Sequence, residues 1–84
     1  MFKKSQFIAQ EKVGDILVIF EEKNEEFYYL DKLEQLIWDN IETRTVDEMV
    51  SFIYEQYDEK KDKIKNDLLR FYSELLEKEL IYEK

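Results

Sequence analysis

Residues 16–34 read ILVIFEEKNEEFYYLDKLE, and the order of patterns inside this stretch decides the fold class. Ile16-Leu17-Val18-Ile19-Phe20 is a β-branched and aromatic run of strand length. Glu21-Glu22-Lys23-Asn24-Glu25 is a charged turn, and Phe27-Tyr28-Tyr29-Leu30 is a further apolar run able to pair back on the first. The period then changes. Asp31 followed by Glu34 has the spacing of a capping box, in which carboxylates accept from free backbone N–H groups at a helix start. Leu33, Leu36, Ile37 and Ile41 recur after it at helical spacing.

Toward the N-terminus, Phe7-Ile8-Ala9 is a short apolar run. Val13-Gly14-Asp15 is a turn signal around the chain's one glycine. Short connections predict a three-stranded antiparallel meander over about residues 7–30, with Ile16–Phe20 in the middle. Toward the C-terminus the sequence predicts three helices, over about 32–41, 45–57 and 61–78. Thr45-Val46-Asp47-Glu48 is a capping box for the second, whose apolar face is Val46, Met49, Val50, Ile53 and Tyr57. The third carries Ile64, Leu68, Phe71 and Leu75 on one stripe, with Leu69, Tyr72 and Leu76 beside it. At about 100° per residue this arc is roughly 160° wide, more than one packing seam needs. Leu80-Ile81-Tyr82 reads as a short apolar tail. The expected class is α+β, one domain over residues 1–84, since there is no proline, no repeat and no low-complexity linker.

Composition narrows the function. The chain has 21 acidic and 13 basic residues and a net charge of −8, which repels phosphate backbones and argues against nucleic acid as a partner. It has no cysteine and no histidine. Disulfides, Cys/His zinc sites and the commonest catalytic bases and nucleophiles are therefore absent. Ser5, Ser51 and Ser73 have no evident activating partner. There is no glycine-rich phosphate loop, and Asp58–Asp62 lacks a calcium-loop pattern. The expectation is a binding protein with no enzymatic activity, no cofactor and no metal. No stretch has signal-peptide or membrane-span length, which predicts a cytoplasmic protein without membrane contact.

If the meander order holds, Phe27–Leu30 is an edge strand. Edges are normally protected by lysine, proline or a bulge; this one has none and is apolar or aromatic on both faces, Tyr28 with Leu30 on one and Phe27 with Tyr29 on the other. Addition of a peptide strand is the standard use of such an edge. Ordering six peptide residues costs about 6–12 kcal/mol of backbone entropy, whereas each hydrogen bond returns about 1 kcal/mol net. Two or three buried apolar side chains at about 1.5–3 kcal/mol each must supply the difference. The broad arc of the third helix offers pockets for them, so the expected site is Phe27, Tyr28, Tyr29, Leu30, Leu68, Leu69, Tyr72 and Leu76. Three bland readings stand beside it. The edge is covered by the N-terminal arm, the helix stripes are core, and the charge runs are solvated surface. Trp38 reads as a packing residue, and Phe52 as an exposed one opposite Met49 and Ile53.

The chain resembles the PqqD-like family, which overlaps the recognition elements of ribosomally made, post-translationally modified peptides. The resemblance covers roughly Phe7 to Tyr82. It rests on Tyr29-Leu30-Asp31, on Ile37-Trp38, on Arg44-Thr45-Val46-Asp47-Glu48, on Asp67-Leu68 with Phe71 and Leu75, and on Leu80-Ile81. It departs in two places. Leu30-Asp31 stands for the family's Leu-Asn, and Asn40-Ile41-Glu42-Thr43 lacks the usual glycine before the second helix. The resemblance implies a winged helix-turn-helix fold that takes the leader segment of a precursor peptide as a further strand on the third strand, beside the third helix. It also implies delivery to a modifying enzyme or leader peptidase, as in radical-SAM and lasso-peptide pathways, by a monomer or weak dimer. The alternatives are a transcription-associated winged helix and an edge-to-edge dimerisation module. Lys61, Lys63, Lys65 and Arg70 on the third helix are interleaved with Asp62, Asp67 and Glu74, so no basic recognition face exists. The sequence predicts no electrophoretic shift of bulk duplex DNA even at low salt.

Overall fold

A computed structural model describes residues 1–84. The elements run β1 (Phe2–Lys4), β2 (Ile8–Val13), β3 (Ile16–Glu21), β4 (Glu26–Leu30), α1 (Lys32–Asn40), α2 (Val46–Tyr54), α3 (Lys61–Glu77) and β5 (Ile81–Glu83). Strands β2, β3 and β4 form the antiparallel meander with β3 central. The three helices follow it, so the α+β class is as the sequence predicts, and the arrangement is consistent with the winged helix-turn-helix that the resemblance implies. α2 stops at Tyr54, short of the expected Tyr57. No helix is long and apolar enough to cross a membrane.

The sheet turns one face to the helices. Leu17 and Ile19 alternate into the core from β3, and the register pairs them with Leu30 and Tyr28. The odd partners, Phe20 with Phe27 and Val18 with Tyr29, therefore share the opposite face. Polar side chains tie the inner face to α1. Gln35 Nε2 donates to the carbonyls of Asp15 (2.6 Å) and Leu30 (3.3 Å), and Trp38 Nε1 donates to Gln10 Oε1 at 3.0 Å. Trp38 is fully buried, as expected of a packing residue. Both predicted capping boxes form. Asp31 exchanges hydrogen bonds with Glu34 at 2.9 Å each way, and Thr45 with Glu48 at 2.9 and 3.2 Å. Phe52 is half-buried rather than exposed, packed on the core under the Arg44 guanidinium, 3.9 Å from its ring centroid.

Two strands were not expected. The N-terminal arm and the presumed apolar tail pair with each other, Phe2 opposite Glu83 and Lys4 opposite Ile81, in a separate two-stranded sheet. Leu80 and Ile81 enter the core, and Phe2 stacks edge-on over Tyr72 with centroids 4.9 Å apart. This small sheet covers part of the wide apolar arc of α3. It escaped the sequence reading because three residues carry no periodicity, and its partner lies at the other end of the chain.

α3 ends in a Schellman motif. Leu80 N–H donates to the Leu75 carbonyl (2.9 Å) and Glu79 N–H to that of Leu76 (3.1 Å), with Leu80 and Leu75 both buried. The residue that must turn left-handed there is Glu79, at φ 59°, where glycine is favoured. Glu79→Gly is expected to raise unfolding free energy in urea by about 0.5–1 kcal/mol.

Tyr72 is 3% exposed and its hydroxyl has no hydrogen-bond partner. Burial pushes its phenol up from the usual 10.0 to about 12. The folded state thus holds the proton more tightly than the unfolded chain. The contribution of Tyr72 to stability is therefore constant below about pH 10 and falls as pH rises toward 12. Tyr72→Phe is expected to be neutral or stabilising by about 1 kcal/mol at pH 7. It should also flatten part of the alkaline fall, measured as unfolding free energy against pH.

Candidate peptide-binding edge and groove

β4 forms one border of the meander, with β3 on its inner side and nothing on its outer side. None of the backbone hydrogen bonds outside the regular elements involves Glu26–Leu30. The one side-chain bond to this backbone is Gln35 to the Leu30 carbonyl. The reading in which the N-terminal arm covers this edge is therefore excluded, since that arm is occupied by β5. The outward-pointing amides and carbonyls of β4 remain unpaired.

Beside the end of β4 a groove of about 430 Å³ runs between the start of α1, the end of α2 and α3. Its apolar floor is Leu33, Ile37, Ile53, Ile64, Leu68 and Phe71. Five carboxylates, Asp31, Glu34, Glu59, Asp67 and Glu74, stand along it against two cations, Lys63 and Arg70. Both cations lean on Asp67, at 3.1 and 3.5 Å. The Asp67 hydrogen bond and charge, with the more distant Glu59, raise the Lys63 ammonium above its ordinary value. On β4 itself Tyr28 is half-buried, with Lys78 Nζ 4.9 Å from its ring centroid. Burial first, then the Glu26 and Glu21 carboxylates, pushes the Tyr28 phenol up. Below it Glu21 is buried. Burial pushes its carboxyl up, but the Asn24 and Lys23 backbone N–H groups, at 2.8 and 2.9 Å, outweigh that and hold it low.

The predicted site residues separate into three groups. Tyr28 and Leu68 face the helix side, Leu68 almost wholly buried in the floor of the groove. Leu30 belongs to the core. Phe27 and Tyr29, 57% and 65% exposed, lie on the far side of the sheet, so they flank the edge without entering the groove. Tyr72 is buried beneath β1. Leu76 opens on a different depression, with Phe7, Lys23 and Tyr82. Leu69 is exposed and, at about 100° per residue, points well away from the groove-lining arc of Lys63, Asp67, Phe71 and Glu74. On that flank of α3 Phe2 of β1 covers Tyr72, while Leu69 and Leu76 stay exposed and Leu76 borders the second depression. The groove residues missed were Leu33 and Glu34 on α1 and Lys63, Asp67, Arg70, Phe71 and Glu74 on α3. The i, i+4, i+7 and i+11 spacing of Lys63, Asp67, Arg70 and Glu74 carries the signal for that flank.

The whole chain can now be set beside known proteins. No curated protein matches it in sequence. Among solved structures, it is similar to the protein in "TbiB1 in complex with the TbiA(beta) leader peptide". The two share 25% identity and a TM-score of 0.86 over 98% of this chain and 99% of that one. The protein in "Lasso peptide synthetase B1 complexed with the leader peptide" superposes at TM-score 0.90 over 98% of each chain, with 14% identity, a likeness of fold. The model of the family described as coenzyme PQQ synthesis protein D (PqqD) matches residues 17–81. That match runs from β3 through all three helices to the first residue of β5, and the chain belongs to the PqqD family.

Proposed function

We propose that this protein binds the leader segment of a ribosomally synthesised precursor peptide as a fourth strand on β4. It then delivers the peptide to a modifying enzyme or leader peptidase, without catalysing a reaction itself. The observation that carries the reading is the unpaired β4 edge alongside an apolar groove. The 25% identical structural relative is described as a complex with a leader peptide, which supports it. Physically, the edge supplies register and direction through backbone hydrogen bonds. The groove supplies the burial that those bonds lack, at about 1.5–3 kcal/mol for each side chain taken up. Delivery needs only that an enzyme hold the same complex, which raises the local concentration of the peptide at its reaction centre. The setting proposed is the cytoplasm, where precursor peptides are made.

In this arrangement Phe71 and Leu33 contact the incoming side chains on the helix side, while Phe27 and Tyr29 meet the alternate ones. Amide hydrogen exchange with a panel of leader peptides, that of TbiA(beta) among them, should show added protection at Glu26–Leu30 and nowhere on β2. Phe71→Asp should weaken binding at least tenfold by titration calorimetry, since it places a charge in the apolar floor. Leu69→Ala should leave affinity unchanged. Protection confined to β2, or equal affinity of Phe71→Asp and wild type, would remove this site.

A further inference from the structure

We infer that the segment this groove selects is cationic, carrying lysine or arginine on the residues that face α3. The inference rests on the strand-addition reading and adds the charge class of the ligand. The groove has a surplus of three negative charges along its apolar floor. The groove's own cations are already engaged, since Lys63 and Arg70 both flank Asp67. Glu74 has no ion-pair partner, and Glu26 at the start of β4 has none either; its strand partner Glu21 is itself a carboxylate. An added strand places alternate residues on the helix side of the sheet, the side that Glu26 shares with Tyr28 and Leu30. A positive charge there meets uncompensated carboxylates, while a negative charge meets repulsion. The far side of the edge differs, because Phe27 and Tyr29 are its exposed groups and carry no charge. A second copy of this chain is a poor occupant, since each copy brings a net charge of −8. The match is thus a two-sided strand, apolar against Phe27 and Tyr29 and mixed apolar and basic against α3.

The test pans a displayed library of random decapeptides against the intact 84-residue chain, followed by affinity measurements on the enriched peptides. Enriched sequences should carry lysine or arginine at alternate positions. Their affinity should fall several-fold between about 50 and 500 mM salt as the screening length shortens. Glu74→Lys should lower affinity about three- to tenfold by removing one attraction and adding one repulsion. Glu55→Lys, the same charge change outside the groove, should lower it less than twofold. Enriched peptides without basic bias, or with salt-independent affinity, would overturn the inference and leave strand addition standing. So would equal losses in Glu74→Lys and Glu55→Lys, which would show a response to total charge alone. A library from which nothing is enriched would remove the strand-addition reading and the inference together.

Discussion

The pairing of β1 with β5 is closed at both ends: Ser5 N–H donates to the Leu80 carbonyl at 2.9 Å and Lys84 N–H to that of Met1 at 3.0 Å. It gives the N-terminal arm a partner other than β4, so the meander keeps a bare border. It also seals the flank of α3 around Tyr72. What remains of that helix's broad apolar arc is divided between core contacts and the flank facing α1, where the groove opens. With the two chain ends held by each other, neither covers the β4 edge or lines the groove.

The second constraint is which face of the sheet turns inward. Both faces are apolar. Ile16, Val18, Phe20, Phe27 and Tyr29 on the outside are no less hydrophobic than Leu17, Ile19, Tyr28 and Leu30 on the inside. Hydrophobicity alone leaves the choice degenerate, and a shift of one residue would exchange the faces. Polar groups break the tie. Gln10 lies across the sheet from Ile19 and receives the Trp38 indole. Gln35 on α1 bridges Asp15 and Leu30. The Glu21 carboxylate turns back to the Lys23 and Asn24 amides. A slipped register would leave these buried donors and acceptors unmatched, at about 1–3 kcal/mol each.

This degeneracy explains what could be read in the sequence and what could not. The three strands of the meander, the three helices, both capping boxes and the edge position of Phe27–Leu30 follow from local patterns: period two, period 3.6 and cap spacing. Assignment of Phe27 and Tyr29 to the groove failed because alternation identifies two faces without saying which is inner. Tyr72 is a different case: it packs under Phe2 of β1, whose pairing with β5 spans nearly the whole chain and leaves no local mark. In the sequence Lys63, Asp67, Arg70 and Glu74 read only as interleaved charges that leave the third helix without a basic face. Only the position of α1 across from them turns that flank into a groove wall.

A bare edge beside exposed aromatics is ordinarily an aggregation hazard. Two features limit it here without closing the edge to a peptide. β4 is only five residues long, so pairing between two copies would make few hydrogen bonds, at about 1 kcal/mol each net. Two copies would also have to bring eight negative charges apiece to the contact, with Glu25 and Glu26 at the end of the strand itself. A short cationic segment makes equally few hydrogen bonds but does not meet the charge obstacle. It pairs with the same backbone, gains burial in the groove that a second folded copy cannot reach, and is drawn rather than repelled by the carboxylates. The acidity that keeps the edge from its own kind is thus the same property that makes it selective for a particular class of strand.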